Sequence, residues 1–244
     1  MPFTIAHPAI ILPLRKSKSF SMTALITGSI VPDFEYFLQM REVDNVGHHW
    51  YGILFFDFPM ALLFCFLFHN LLRNTLLVNI PSTFRNRFYG AYSFDWNNYA
   101  KTHKSQIVLS LLLGIVSHLL WDGFTHHDGI FVLLIPSLSA NIGFAHKPVY
   151  FLLQVLFSIA GLFVVILSIV NMPAKTMSIQ NIAPSKLYWP LFSIMLAILL
   201  SIRLTIWPQF NTFWGVFMAV MGGICYTWVL NSFIINNYFQ KNIK

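Results

Sequence analysis

The sequence predicts an all-α, polytopic helical membrane protein, and three observations lead to this fold class. Hydrophobic residues make up 57% of the chain and charged residues only 9%, with a mean hydropathy of +0.66, whereas a soluble domain carries about 25% charged residues. Several apolar runs reach the roughly 20 residues that cross about 30 Å of hydrocarbon. These runs are continuous and lack the period-two alternation of a membrane β-strand, so we expect helices.

The N-terminal part predicts short helices rather than a simple span. Phe3–Leu14 forms a short helix that either re-enters the membrane or spans it, and a basic turn follows at Arg15–Lys18. A second helix ends near Val31, because a proline followed by acids is typical of the start of a new helix. A further short helix then carries Asp33 and Glu35.

The rest of the chain predicts five clear transmembrane helices. They are Tyr51–Leu72, Ser105–Asp122, Val149–Val170, Leu187–Trp207 and Phe213–Phe233. Residues 73–104, interpreted as one polar, aromatic-rich loop, carry five Lys or Arg against one acid, so the positive-inside rule places them in the cytoplasm. Residues 123–148 and the turn at Pro208–Asn211 then lie outside, and the C-terminus is cytoplasmic. The chain is expected to form a single membrane domain over residues 1–244.

The net charge of +7 does not indicate a nucleic-acid partner. The basic residues form short patches beside the apolar runs, as orientation signals do. Cys65 and Cys225 both lie inside apolar runs, so a disulfide framework is not expected.

The acids and histidines occupy only part of the chain. All eight acidic residues lie between Asp33 and Asp128, and all nine histidines lie between His7 and His146. Because such groups are costly at membrane depth, they mark functional sites. Residues 1–146 are therefore expected to hold a metal site, and residues 147–244 to provide apolar transmembrane helices.

The strongest motif is a His-x-x-x-Asp pair, His118 and Asp122, followed by His126 and His127. Residues four apart share a helix face, about 6 Å apart along the axis, so the pair points one way near the outer end of its span. Imidazole nitrogen and carboxylate oxygen are standard ligands of zinc and other divalent ions. The simpler interpretation is a structural His–Asp hydrogen bond between helices.

The predicted topology brings further candidate ligands to the same side. The predicted metal ligands are His7, Asp33, His48, His118, Asp122 and His126. The sequence leaves open whether His48 or His49, and whether His126 or His127, points into the site. Glu35 is the candidate catalytic base. The alternative interpretation is that its carboxylate only stabilises the start of a helix.

At these residues the chain resembles a known family. The stretches are Met-Pro-Phe-Thr-Ile-Ala-His7-Pro-Ala, Gly28-Ser-Ile-Val-Pro-Asp33-Phe-Glu35, Gly47-His48 and Ser117-His118-Leu-Leu-Trp-Asp122-Gly-Phe-Thr-His126. Together they resemble the domain of unknown function 4184 family, which comprises uncharacterised bacterial integral membrane proteins. The resemblance covers essentially the whole chain and implies a location in the bacterial inner membrane. It implies no reaction.

A weaker resemblance points to chemistry. The motifs are similar to those of membrane-bound metal-dependent hydrolases and of the zinc-dependent phospholipase C and P1 nuclease superfamily, where zinc ions activate water against phosphoesters. This implies His7, Asp33, His118 and Asp122 as ligands. In the soluble enzymes, a further histidine follows the motif Asp by more residues than His126 and His127 follow Asp122. Their ligand set, which holds three zinc ions, is also larger than the set found here. A mono- or dinuclear site is therefore expected.

The leading hypothesis is a membrane-bound metal-dependent hydrolase, with zinc the expected ion and a lipid or phosphoester substrate at the outer interface. One alternative is a transporter or ion-handling protein that uses the same residues as a relay, although the chain lacks the inverted repeat typical of transporters. A second alternative is a non-catalytic membrane scaffold. The substrate and the oligomeric state are left open.

Overall fold

The fold is almost entirely helical, as predicted. The computed structural model describes residues 3–43, 46–143, 146–176, 185–208 and 212–242. Asp44 of the predicted outer loop, residues 209–211 of the predicted turn and the C-terminal Lys244 lie outside the described residues. Five helices in the described part are long and apolar enough to cross a membrane, which is consistent with an integral membrane protein. They are Ile53–Asn79, Lys104–Asp122, Val149–Val170, Tyr188–Ile206 and Phe213–Asn237.

The helices and strands follow in chain order. They are α1 (Pro8–Ile11), α2 (Met22–Ile30), α3 (Phe34–Gln39), α4 (Phe58–Leu67), α5 (Arg73–Asn79), α6 (Ser82–Arg85), α7 (Tyr89–Tyr92), α8 (Trp96–Thr102), α9 (Lys104–Asp122), α10 (Ile130–Leu134), β1 (Asn141–Ile142), β2 (Lys147–Pro148), α11 (Val149–Val170), α12 (Tyr188–Ile206) and α13 (Phe213–Asn242). The two strands pair antiparallel.

The first span is longer than the sequence predicted. It continues past Leu72 to Asn79, through two π-helical turns at Ile53–Asp57 and Phe68–Leu72. Arg73 does not end it because its side chain is buried and its Nη1 donates to the Phe94 carbonyl at 2.6 Å. The prediction of one polar loop over residues 73–104 is therefore wrong, since α5 to α8 occupy most of it.

The chain divides into two compact units. Unit 1 comprises Met1–Asp33, Val46–Leu62 and Thr102–Met172, and unit 2 comprises Phe34–Asn45, Leu63–Lys101 and Pro173–Lys244. The single membrane domain remains a prediction.

In unit 1, α2 and α9 run side by side in the same direction with their backbones in contact. The Ser21 amide donates to the Ser110 hydroxyl at 2.8 Å near the start of this seam. Further along, a Cβ added to Gly28 would lie 2.5 Å from a carbonyl oxygen of α9, and one added to Gly114 would lie 2.5 Å from a carbonyl oxygen of α2. Only glycine allows this approach, as in close-packed membrane helices.

The N-terminal segment of unit 1 is held against α11. The Phe3 amide donates to the Ser158 hydroxyl at 3.0 Å. A Cβ on Gly161 would lie 2.7 Å from the Ala6 Cβ, so glycine lets the 3-10 turn Thr4–Ala6 sit on the helix. This contact positions His7, which directly follows the turn.

In unit 2, α13 packs against α3, α5 and α12. The Thr75 hydroxyl donates to the Ser232 hydroxyl at 2.8 Å, and the Asn231 amide donates to the Tyr188 carbonyl at 3.1 Å. These polar contacts join helices inside the unit.

Candidate metal centre

Four side chains of unit 1 converge at the ends of three structural elements. Asp33 closes the 3-10 turn Val31–Asp33 after α2, and His48 closes the 3-10 turn Val46–His48. His118 and Asp122 occupy the last turns of α9. One ligand atom from each lies within 4.8 Å of all the others, so this group, here called the His/Asp cluster, could hold a metal ion.

The distances within the His/Asp cluster suit a shared ion. Those from His48 Nε2 are 3.2 Å to Asp122 Oδ2 and 3.6 Å to Asp33 Oδ1, and those from His118 Nε2 to the same oxygens are 3.4 and 3.6 Å. Ligands about 2.1 Å from a tetrahedral ion are roughly 3.4 Å from one another. These four nitrogen–oxygen separations bracket that value, and all four ligand atoms lie within 4.8 Å of one another.

Two neighbouring groups orient the ligand side chains. His118 Nδ1 donates to the Ser29 carbonyl at 2.8 Å, which assigns the ring hydrogen to Nδ1 and leaves Nε2 directed at the carboxylates. The Thr4 hydroxyl donates to Asp33 Oδ2 at 2.6 Å, so Oδ1 faces the histidines. Such contacts fix the tautomer and rotamer of metal ligands.

Several cluster atoms are buried without a hydrogen bond. Among the described residues, His118 Nε2, Asp33 Oδ1 and Asp122 Oδ1 have no hydrogen-bond partner, and the three side chains are at most 5% exposed. Buried polar atoms normally find a partner because desolvation without one costs about 1–3 kcal/mol. Their convergence on one point is what a bound cation would satisfy.

His7 lies against the His/Asp cluster. It is fully buried, its ring stacks on His118 with centroids 3.8 Å apart, and its Nε2 is 3.5 Å from Asp122 Oδ1. Neither ring nitrogen of His7 has a hydrogen bond among the described residues. Burial, assisted by the neighbouring His118, lowers the pKa of His7 to about 3. A neutral imidazole is the form that binds a metal.

The pKa of Asp33 is shifted by its surroundings. Burial disfavours the charged carboxylate, but the attraction of the neighbouring His118 ring outweighs burial and places the pKa of Asp33 below its usual value.

The structure separates each of the two ambiguous histidine pairs. His126 Nδ1 lies 3.1 Å from the Asp122 carbonyl and 3.7 Å from its Oδ2, whereas His127 is 78% exposed and pairs with Asp128. His48 joins the cluster, while His49 stacks on Tyr51. The side chains of His48 and His126 are 20% and 24% exposed, so they mark the open side of the site.

Glu35 lies in unit 2, on α3, where its carboxylate accepts a hydrogen bond from the Gln39 amide at 3.3 Å. The His/Asp cluster does not include it. The catalytic role of Glu35 therefore stays a prediction.

Sequence reasoning missed Thr4 and the carbonyl of Ser29. Thr4 stands three residues before His7, which places both on one face of a helical turn, and that spacing could have identified it. No sequence pattern indicates the role of the Ser29 carbonyl, because that role depends on how α2 packs against α9.

The comparisons with known proteins bear on the family of this chain. No curated protein and no solved structure matches this chain. The weaker resemblance to metal-dependent hydrolases therefore remains a prediction. A family profile described as Domain of unknown function (DUF4184) matches residues 1–233. Since this match spans nearly the whole sequence, including the complete His/Asp cluster, the chain belongs to the family described as Domain of unknown function (DUF4184).

Proposed function

We propose that this protein is a membrane-bound metal-dependent hydrolase that acts on a lipid ester or phosphoester. The observation that carries the proposal is the His/Asp cluster, in which two imidazoles and two carboxylates from separate segments lie within 4.8 Å of one another. Nitrogen and oxygen ligands at tetrahedral spacing favour zinc among the common divalent ions. His7 is proposed as an additional ligand because its Nε2 lies 3.5 Å from Asp122 Oδ1. His126 is proposed as a further ligand through its Nε2, because its Nδ1 donates to the Asp122 carbonyl at 3.1 Å and its ring lies 6.1 Å from that of His48.

Exposed apolar residues that follow His48 and His126 in the chain support a lipid substrate. Trp50 and Phe55, which follow His48 in the chain, are both 82% exposed, and Leu133 and Leu134 of α10 are 70% and 69% exposed. Aromatic and aliphatic side chains of this kind favour the membrane interface. A substrate whose reactive group lies at the interface could reach the cluster between His48 and His126.

The chain's own residues have distinct tasks in this reaction. Asp33, His48, His118 and Asp122 would hold the ion, and Ser29 and Thr4 keep two of these ligands in place. A bound divalent ion polarises an ester oxygen and lowers the pKa of a bound water toward ~7. Glu35 is proposed as the base, supported by its place two residues after Asp33 in the chain. His7, with its pKa of about 3, would stay neutral throughout the working range.

The charge distribution supports an orientation in the bacterial inner membrane. We propose that the C-terminus is cytoplasmic and that the His/Asp cluster lies at the outer end of α9. Residues 80–103, between the first span and α9, carry three Lys or Arg against one acid, and such segments stay in the cytoplasm.

The experiment combines elemental analysis with an activity screen. The protein, purified in detergent, is analysed for bound metals and assayed with bis(4-nitrophenyl) phosphate and with phospholipids in mixed micelles. We expect at least one zinc per chain, hydrolysis that a chelator abolishes, and recovery when zinc is returned. Hydrolysis that survives complete metal removal would refute the mechanism. Metal-dependent ion flux in liposomes without hydrolysis would instead favour the transporter.

A further inference from the structure

A second feature of unit 1 is an open groove between the N-terminal segment and the C-terminal part of α11. Its volume is about 450 Å³. The lining residues are Ala9, Leu12, Pro13, Arg15, Lys16, Val164, Leu167, Ser168 and Asn171. Residues of the His/Asp cluster do not line it, so its role is independent of the proposed hydrolase.

The polar side of the groove is cationic. Arg15 Nη1 donates to the Ser168 hydroxyl at 3.0 Å, which holds the guanidinium at the groove, and Lys16 lies beside it. No carboxylate is among the residues that line the groove. The C-terminal end of α11 contributes a partial negative charge of about half an elementary charge. Two full positive charges exceed it, so the groove favours an anion.

The other side of the groove is apolar and open to the surroundings. Val164 and Leu167 are 43% and 40% exposed. They belong to a span with a mean hydropathy of 2.6, and only 6% of its most apolar window is buried inside the protein. In a membrane, this surface faces acyl chains. A ligand of the groove therefore meets cations at one side and hydrocarbon at the other.

We propose that this groove binds one anionic phospholipid, with its phosphodiester on Arg15 and Lys16 and an acyl chain along Val164 and Leu167. Guanidinium groups bind phosphate oxygens in pairs, whereas lysine acts as a point charge. Basic pockets beside transmembrane helices bind anionic headgroups in this way. If Arg15 and Lys16 served only to orient the chain in the membrane, their charges would suffice. Neither the contact of Arg15 with Ser168 nor the apolar side of the groove would be needed.

Native mass spectrometry of the full chain in detergent tests this proposal. The protein is titrated with phosphatidylglycerol, with phosphatidylcholine of the same acyl chains, and with inorganic phosphate as a competitor. We expect one phosphatidylglycerol to bind more tightly than phosphatidylcholine. The double variant Arg15→Gln/Lys16→Gln should weaken it about 25-fold, at roughly fivefold for each cation near a membrane surface.

The matched control is Lys18→Gln, which removes an exposed cation from the same segment but outside the groove. It should leave the affinity within twofold of the wild type. The proposal is overturned if the double variant binds phosphatidylglycerol as the wild type does, if Lys18→Gln weakens binding equally, or if phosphatidylcholine binds as tightly. Displacement of the lipid by millimolar inorganic phosphate would assign the groove to free phosphate instead. All the changed side chains are exposed, and matching thermal unfolding in detergent confirms that the variants fold.

Discussion

Each compact unit buries polar side chains between its helices, but the two groups differ in their chemistry. In unit 2, neutral hydroxyl and amide groups bond to other protein groups, as in Thr75 to Ser232 and Asn231 to the Tyr188 carbonyl, and a few neutral atoms such as Asn231 Oδ1 are buried without a hydrogen bond in the described part of the chain. In unit 1, carboxylates and imidazoles face one another, and several of their atoms have no hydrogen bond among the described residues. Direct pairing between helices is sufficient reason for a polar residue inside a membrane protein. Ionisable groups that converge with some of their atoms unpaired are typical of a site that could bind a ligand.

The largest effect is expected from a change inside the His/Asp cluster. Asp122→Asn removes the carboxylate that lies closest to both His48 and His118. We expect metal affinity to fall at least 100-fold, more than the 10–100-fold that an outer partner of a ligand is worth, and hydrolysis to disappear. Elemental analysis measures the first effect and the micelle assay the second. Asp128→Asn, on a 73% exposed carboxylate, is the control and should retain metal.

A catalytic role for Glu35 would not fit the simple contrast between the units, because Glu35 belongs to unit 2. If it supplies the base, Glu35→Gln should lower turnover by about 10²–10⁴-fold, the usual contribution of a general base, and leave the metal content unchanged. Turnover and elemental analysis of the same preparation check this. Unchanged turnover would refute the catalytic role of Glu35.

Substitutions of Thr4 in unit 1 are expected to have a smaller effect on metal affinity, and two different substitutions should have effects of different size. Thr4→Val removes the hydroxyl that bonds Asp33 Oδ2 while keeping the shape of the side chain. We expect zinc affinity to fall about 10–100-fold. Thr4→Ser retains the hydroxyl and should restore most of the affinity in a zinc titration. Equal affinities for both variants would show that this hydroxyl does not orient Asp33.

The smallest effect is expected in unit 2 and concerns stability alone. Thr75→Val removes the hydroxyl contact with Ser232. Interhelical hydrogen bonds in membrane proteins contribute about 0.6 kcal/mol on average, so the free energy of unfolding in detergent should fall by roughly that amount. The zinc content should stay at the wild-type value. A loss of zinc in Thr75→Val would end the separation between a structural and a ligand-binding group.

The sequence predicted the five spans and the residues that the structure brings together in the His/Asp cluster, because each depends on local pattern. Hydropathy located five spans, and the spacing of His118 and Asp122 placed both on one helix face. Arg73 was misinterpreted because a charge at the end of an apolar run resembles a boundary, and its burial against the Phe94 carbonyl is a long-range contact.

The histidine pairs show a second limit of sequence reasoning. α9 ends at Asp122, and His126 and His127 follow in a turn with no repeating period. His48 likewise lies in a 3-10 turn, where neighbouring side chains point in directions that only tertiary packing decides. The residue types of the cluster were therefore predictable, but the choice within each histidine pair was not.

The glycine contact between α2 and α9 has a consequence for how the site responds to its lipid environment. Because the two backbones are in contact at Gly28 and Gly114, a change of side-chain rotamers alone does not let one helix move along the other. Mismatch between helix length and bilayer thickness costs only fractions of a kcal/mol per Å, and helices usually accommodate it by tilting. The pair would tilt as a single rod, so the spacing of Asp33 and Asp122 should be the same in thin and thick bilayers.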